Sequence, residues 1–389
     1  MNNYVRISGL TDVKGEAMGE NNNVQLNNNE PIRILHCVAG IGRGGYETLI
    51  MNLYRKIDRT KIQFDFLYSY NGVFKKEIEA LGGRLYKIPF ITEKGPFAYT
   101  AAVRKFFKEH PEYKIVHSHM DKFSGHIMRE AKRAGIPVRI AHSHNIANEG
   151  MFLYRIVKDY YGFYIAPNCN ERFACSQDAA DWLFGKGRDD VMIIKNGIDL
   201  EKFENKDTRN KDKFIVSCVG RFTQQKNHDF LLDIFSEVCK RKDNAHLMLA
   251  GTGEFMNPMK EKAERLGIAD KVTFMGDCSN VHELLHKSDV MCLPSLFEGL
   301  GIVFIEAQAC GVKCIASDRV PKEAKVSDDI QFIPLEKGSS YWADAICSIG
   351  DYEKADNHES IRNCGYDINE VTQRVQQFYI DKYSACGEK

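Results

Sequence analysis

IRILHCVAGIGRGGYETLIMNLYRKI, residues 32–57, carries three signals in one stretch. It opens on a continuous apolar run (32–39), the mark of a parallel strand buried on both faces. Gly40, Gly42, Gly44 and Gly45 follow, and then ETLIMNLYRKI (47–57), which reads as an amphipathic helix. Strand, glycine loop and helix together open a doubly wound α/β sheet, in which ligands bind beyond the carboxyl ends of the strands. The glycines let backbone N–H groups approach an anion, and a helix N-terminus favours one. Gly40, Gly42 and Gly45 fit G-x-G-x-x-G, but the next strand, QFDFLYS (63–69), ends in Ser where an NAD site needs an acid. A dinucleotide oxidoreductase is therefore set aside. Taken alone, the loop is equally well read as a tight structural turn.

Outward from this stretch, the strand–helix alternation continues. Further strand-like runs are YKIVHSH (113–119), VRIAHSH (138–144), RFACS (172–176) and VMIIKN (191–196), with a helix-like AYTAAVRKFFKEH at 98–110. A polar stretch, EKFENKDTRNKDK (201–213), interrupts the pattern, which restarts with FIVSCVG (214–220), HLMLAG (246–251), KVTFMG (271–276), DVMCLPS (289–295) and KCIAS (313–317). The restart predicts two parallel-sheet domains, 31–196 and 197–370, with a break near 197–212. VTQRVQQFYIDKYSAC (371–386) reads as a helix able to pack back across the boundary. Residues 1–30, Asn-rich, read as an unstructured tail within which Met1 or Met18 is the start.

The 389 residues suit two domains, and no run of about 18 apolar residues suggests a membrane span. The N-terminus has no apolar secretory core, and twelve cysteines without a CxxC pair read as reduced thiols of a cytoplasmic protein. The zero net charge is uneven. Residues 31–195 hold 26 basic against 17 acidic side chains (+9), residues 196–389 hold 25 against 32 (−7), and residues 1–30 hold 2 against 4 (−2). The two halves are thus expected to meet different partners, against the plainer reading of an unevenly decorated surface.

Three further stretches carry chemistry. GRFTQQKN (220–227) places Arg221 and Lys226 on one strand-to-helix loop, able to clamp a diphosphate, with Asn227 as a helix N-cap. HSHN (142–145) puts His142 and His144 on one face of a strand end. With a second HSH at 117–119, four histidines invite a zinc reading. Their separation onto two strands and the lack of cysteine or acidic help weigh against it. FEGLGIVFIEAQACG (297–311) embeds Glu298 and Glu306 among apolar residues, with no basic residue in helical reach of Glu306. A buried carboxylate without a partner is costly. A ribose diol would satisfy Glu306 and sugar hydroxyls would satisfy Glu298, with Gly299, Leu300 and Gly301 presenting backbone to the ligand.

These residues in this order resemble the retaining family 4 glycosyltransferases of GT-B architecture, two Rossmann-like domains facing a cleft, over essentially all of residues 31–389. The resemblance rests on Gly44-Gly45, on GRFTQQK, on NGID (196–199) as hinge, and above all on Glu298 and Glu306. It implies that the first domain binds acceptor and the second binds a nucleotide-sugar, with UDP expected from relatives. Arg221 and Lys226 would hold the donor diphosphate, Glu306 the ribose and Glu298 the donor sugar. His142, preferred over His144, would stand at the reacting sugar, and Gly44-Gly45 would close over the phosphate. No metal and no cofactor beyond the donor is implied. The implied acceptor is a glycan or a lipid-diphosphate sugar in cell-surface polysaccharide or glycolipid synthesis. The basic first half would suit the anionic inner face of the plasma membrane. FLYRIVKDYYGFYI (152–165) reads either as an interfacial element or, by preference, as a buried helix. Non-transferring alternatives are an epimerase, a hydrolase or a nucleotide-sugar-binding module.

Overall fold

The computed structural model describes residues 30–145, 152–278 and 280–387. The tail and its two candidate start residues lie outside them. Seven strands form the first sheet: β1 (Ile32–Cys37), β2 (Ile62–Tyr68), β3 (Leu85–Lys87), β4 (Ile115–Ser118), β5 (Val138–Ser143), β6 (Glu171–Ala174) and β7 (Val191–Ile193). Six form the second: β8 (Phe214–Val219), β9 (Ala245–Ala250), β10 (Val272–Gly276), β11 (Val290–Leu293), β12 (Lys313–Ser317) and β13 (Ile330–Ile333). Their orders are β3-β2-β1-β4-β5-β6-β7 and β10-β9-β8-β11-β12-β13. Every pairing is parallel. Strand order reverses between β1 and β4 in one sheet and between β8 and β11 in the other. Those switch points open crevices at the carboxyl ends of the strands.

Helices connect the strands, among them α1 (Gly45–Lys56), α2 (Ile91–Glu109), α3 (Phe152–Gly162), α4 (His228–Cys239), α5 (Ile302–Ala309) and α6 (Ile368–Gly387). α2 is kinked where Gly95 adopts φ 78° just before Pro96. Separate apolar clusters cover the two faces of the first sheet, and one continuous cluster fills the second domain. α5 is enclosed by the second core: it buries Val303, Phe304, Ile305, Ala307, Gln308 and Ala309 and keeps Glu306 half-buried.

α6 packs back on the first domain. Ile368, Val371, Val375 and Tyr379 join Tyr54 and Phe64 in the cluster that also holds α1. The chain crosses between domains twice, side by side. The Ile198 amide donates to Tyr366 O (2.8 Å) and the Ile368 amide donates to Ile198 O (3.0 Å). A Cβ on Gly197 would stand 2.9 Å from the Ile368 backbone.

Against the preference for a buried helix, α3 lies open. Arg155, Ile156, Val157, Asp159 and Tyr160 are exposed, as is Phe163 just past its end, and only Tyr161 of its outer half is fully covered. No described helix is long and apolar enough to cross a membrane. All twelve thiols are free, six of them buried and six half-buried.

Candidate active site

The second sheet's switch point brings two loops together. Past β8 comes Gly220-Arg221-Phe222, and past β11 comes Pro294-Ser295. Three hydrogen bonds fasten them: Leu296 N to Gln225 O (2.8 Å), Gln225 Nε2 to Phe297 O (3.0 Å) and Asn227 Nδ2 to Pro294 O (3.1 Å). Asn227 does stand just before α4, but with φ 54° and with no side-chain bond to the helix. Asn227 thus holds the expected N-cap position, but its side chain clasps the two loops instead of capping the helix.

This clasp sets the central contact. Lys226 Nζ lies 2.6 Å from Glu298 Oε1, and Ser295 Oγ donates to the same oxygen at 2.6 Å. Glu298 is only 7 % exposed. The expectation that a ligand alone would pair it is therefore wrong: the protein pairs it, through a lysine 72 residues away in sequence. Ammonium and hydroxyl together fix the carboxylate in orientation. The Arg221 side chain, by contrast, is exposed and makes no hydrogen bond or ion pair among the described residues. Glu306 matches its expectation more closely. It is half-buried, no described side chain hydrogen-bonds it, and burial pushes its carboxyl up to about 7. Gly301 ends the loop with φ 76°, Leu300 packs towards the second core, and a Cβ on Gly299 would meet nothing.

One contributor is absent from the sequence reading. Gly251 (φ 145°) and Gly253 (φ 156°), just past β9, press on the Arg221 loop. A Cβ there would lie 2.0 Å from Gly220 O and 2.4 Å from Phe222 O respectively. Only glycine permits that approach and those dihedrals, so GTG (251–253) shapes the loop that presents Arg221. Its signal in the sequence is a G-x-G at the end of a strand-like run.

Across the cleft, Gly44 precedes the first turn of α1 and Glu47 folds back over it, so that a Cβ on Gly44 would meet Glu47 Oε2 at 2.1 Å. Burial raises the Glu47 carboxyl, and the charge of Arg221 in the other domain opposes that shift. Arg43 of the same loop bridges to Asp277, beyond β10, at 2.6 Å. The glycine loop therefore faces the second domain.

The first switch point assembles more histidines than expected. In-register pairing aligns His36 with His117, and β5 lies beside β4, so the two HSH segments adjoin. His36 Nδ1 is 3.0 Å from His119 Nε2, and His119 Nδ1 is 2.9 Å from His144 Nε2. His117 Nε2 is 3.1 Å from His142 Nδ1, and His117 Nδ1 is 2.7 Å from the Tyr379 hydroxyl of α6. Burial holds all five imidazoles neutral, lowering His36 and His144 to about 3 and the others well below the usual value. His142 is almost wholly buried, whereas His144 is half-buried and nearer the opening. Accessibility thus favours His144, while His142 keeps an unpartnered Nε2.

Two crevices, one cationic with a fixed carboxylate and one lined by neutral imidazoles, define a two-domain group-transfer enzyme. Family models agree. Residues 43–202 match "Glycosyltransferase Family 4" and residues 199–332 match "Glycosyl transferases group 1". EpsF of Bacillus subtilis (strain 168), itself named only provisionally as a glycosyltransferase, is 36 % identical over 373 residues, covering 90 % of this chain and 97 % of EpsF. The chain belongs to this glycosyltransferase family. The Escherichia coli UDP-Gal:alpha-D-GlcNAc-diphosphoundecaprenol alpha-1,3-galactosyltransferase is 27 % identical, over 69 % of this chain and 76 % of that enzyme. Anabaena Alr3699/HepE, solved with UDP and glucose, has the same fold, with TM-score 0.72, 17 % identity and coverage of 90 % and 99 %. WaaG, a glycosyltransferase involved in lipopolysaccharide biosynthesis, superposes with TM-score 0.67 at 14 % identity, covering 89 % of this chain and 99 % of WaaG.

Proposed function

We propose that this glycosyltransferase moves a sugar from a UDP-sugar, with retention of anomeric configuration, to a glycan or lipid-diphosphate acceptor in polysaccharide or glycolipid synthesis. The observation that carries this reading is the Lys226–Glu298–Ser295 contact beside the unpaired Arg221 and Glu306. A departing diphosphate accumulates negative charge, and Arg221 and Lys226 are placed to stabilise it without a metal. Ser295 keeps one hydrogen bond on Glu298 while Lys226 turns to phosphate, freeing the carboxylate to accept from sugar hydroxyls. The lone carboxylate of Glu306 suits a diol. Support for UDP comes from the HepE complex and the name of the E. coli enzyme, which also acts on a diphosphoundecaprenol acceptor.

Peripheral docking on an anionic membrane belongs to the same reading. α3 exposes Ile156, Val157 and Tyr160 beside Arg155, with Phe163 just beyond. Ile156, Val157 and Tyr160 share an apolar groove with Ile91 and Pro96 of α2, and the next residue of α2, Phe97, is 90 % exposed. Apolar side chains with basic neighbours suit a lipid surface. Co-sedimentation with vesicles that does not respond to anionic lipid would rule the docking out.

The deciding experiment incubates purified protein with a panel of nucleotide-sugars, with and without lipid-extracted acceptors, and follows nucleotide release and product anomer. Acceptor-dependent release from a UDP-sugar with retained configuration is the expected result. Acceptor-independent release would mean a hydrolase, and binding without release a binding module. Glu298→Ala should abolish transfer while nucleotide binding largely survives.

A further inference from the structure

The histidine cluster has more order than a catalytic imidazole requires. His119, His142 and His144 each offer a ring nitrogen, and three such atoms lie within 4.8 Å of one another. His142 Nε2 is buried with no hydrogen-bond partner. A buried polar atom without a partner costs free energy unless something binds it. The remaining nitrogens already form an outer shell. His142 Nδ1 is held by His117 Nε2, and His117 is held in turn by Tyr379. His119 Nε2 is held by His36 Nδ1. Metal-binding histidines characteristically have their second nitrogen fixed this way, which sets the tautomer and the ring angle.

We propose that His119, His142 and His144 form a three-histidine site for a divalent transition metal of the zinc class, and that its occupation withdraws His142 from the transfer reaction. Zinc binds imidazole nitrogen at about 2.0–2.1 Å in tetrahedral geometry, which sets neighbouring ligand atoms roughly 3.3 Å apart. The 2.9 Å between His119 Nδ1 and His144 Nε2 needs only a few tenths of an ångström of opening. His36, His117 and His119 also lie together. His117, however, has both nitrogens engaged, to Tyr379 and to His142, so that grouping serves as the outer shell. His144, half-buried, leaves the fourth position on the side of the opening. Metal and acceptor chemistry then compete for the same nitrogen. The inhibitory half rests on the proposed function, whereas the binding half does not.

The test titrates the metal-stripped full chain with Zn²⁺ against a chromophoric chelator, and repeats it with Co²⁺ to read the ligand type. One equivalent bound per chain is expected, with a cobalt spectrum showing d–d bands and no thiolate charge-transfer band. His144→Gln and His142→Gln, checked for folding by circular dichroism, should each weaken binding by more than about 100-fold. His36→Gln, outside the ligand set, should weaken it roughly 10–100-fold, as outer-shell changes do. Absence of a bound equivalent, a thiolate band from the twelve cysteines, or unchanged affinity in the His144 variant would overturn the site. Stoichiometric zinc that leaves the transfer rate unchanged would overturn the inhibitory half alone. A chain that binds zinc through these histidines yet transfers no sugar would instead count against the proposed function.

Discussion

At the scale of single residues, Lys226 and Glu298 are the most consequential pair. Removing one partner of a buried ion pair leaves an uncompensated charge, costing about 3–5 kcal/mol. Lys226→Met should therefore destabilise the second domain by about 3 kcal/mol in urea unfolding, nearer the low end because Ser295 still donates to Glu298. The double variant Lys226→Met/Glu298→Gln should recover most of that loss. Equal stability of single and double variants would show that the pair is not coupled. Glu306 gives a pH signature. Its folded carboxyl sits at about 7 against a usual 4.5. Between those values the unfolded chain ionises first, so its stability contribution is present at low pH and lost as pH rises through about 7. Glu306→Gln should raise the melting temperature of the unliganded protein at pH 8. On the proposed function, in which the Glu306 carboxylate holds a ribose, affinity for a UDP-sugar should rise towards about tenfold per pH unit below pH 7 and flatten above it. A Gln variant with the same slope would reject the assignment. Glu306 is legible in sequence because everything in helical reach is apolar. The pairing of Glu298 is not, because its lysine arrives through a loop clasp that periodicity does not encode.

Among the elements, the long central strands announce themselves as apolar runs. β3 and β13 do not: they are edge strands, three and four residues long, and LYK and IQFI carry too little pattern to stand out from loop. α3 misleads because its aromatics look like core until its exposed side is seen. α6 shows how far an element reaches. Its Tyr379 is fully buried and ends the chain of hydrogen bonds that runs through His117 to His142. Tyr379→Phe keeps the packing but leaves His117 Nδ1 unpaired, which should cost about 1–3 kcal/mol. Melting curves check the cost, and an unchanged melting temperature would mean that His117 finds another partner.

For the whole molecule, the two domains should respond differently to acid. Five neutral imidazoles in the first have protonation pushed far below the usual 6.5. Their stabilisation is complete above pH 6.5 and falls as pH drops, because the unfolded chain takes up protons that the folded one refuses. The loss is about 1.4 kcal/mol per pH unit for each group until the cluster opens. The second domain buries two histidines among its described residues: His228, lowered to about 4, and His286, also lowered by burial. The chain has two tryptophans, Trp182 in the first domain and Trp342 in the second. Single Trp→Phe variants let fluorescence follow each domain, and Trp182 should report unfolding at the higher pH. Coincident transitions would refute the cluster's role. Sequence alone does not reveal this arrangement, since His36 joins it only through the pairing of β1 with β4. The side-by-side crossings have one more consequence. Because Ile198 and Tyr366 are hydrogen-bonded neighbours, everything between them is topologically an insert in the first domain. Cut at those two residues, the second domain would be a self-contained piece whose two ends already touch, and a short peptide could rejoin the chain across the gap.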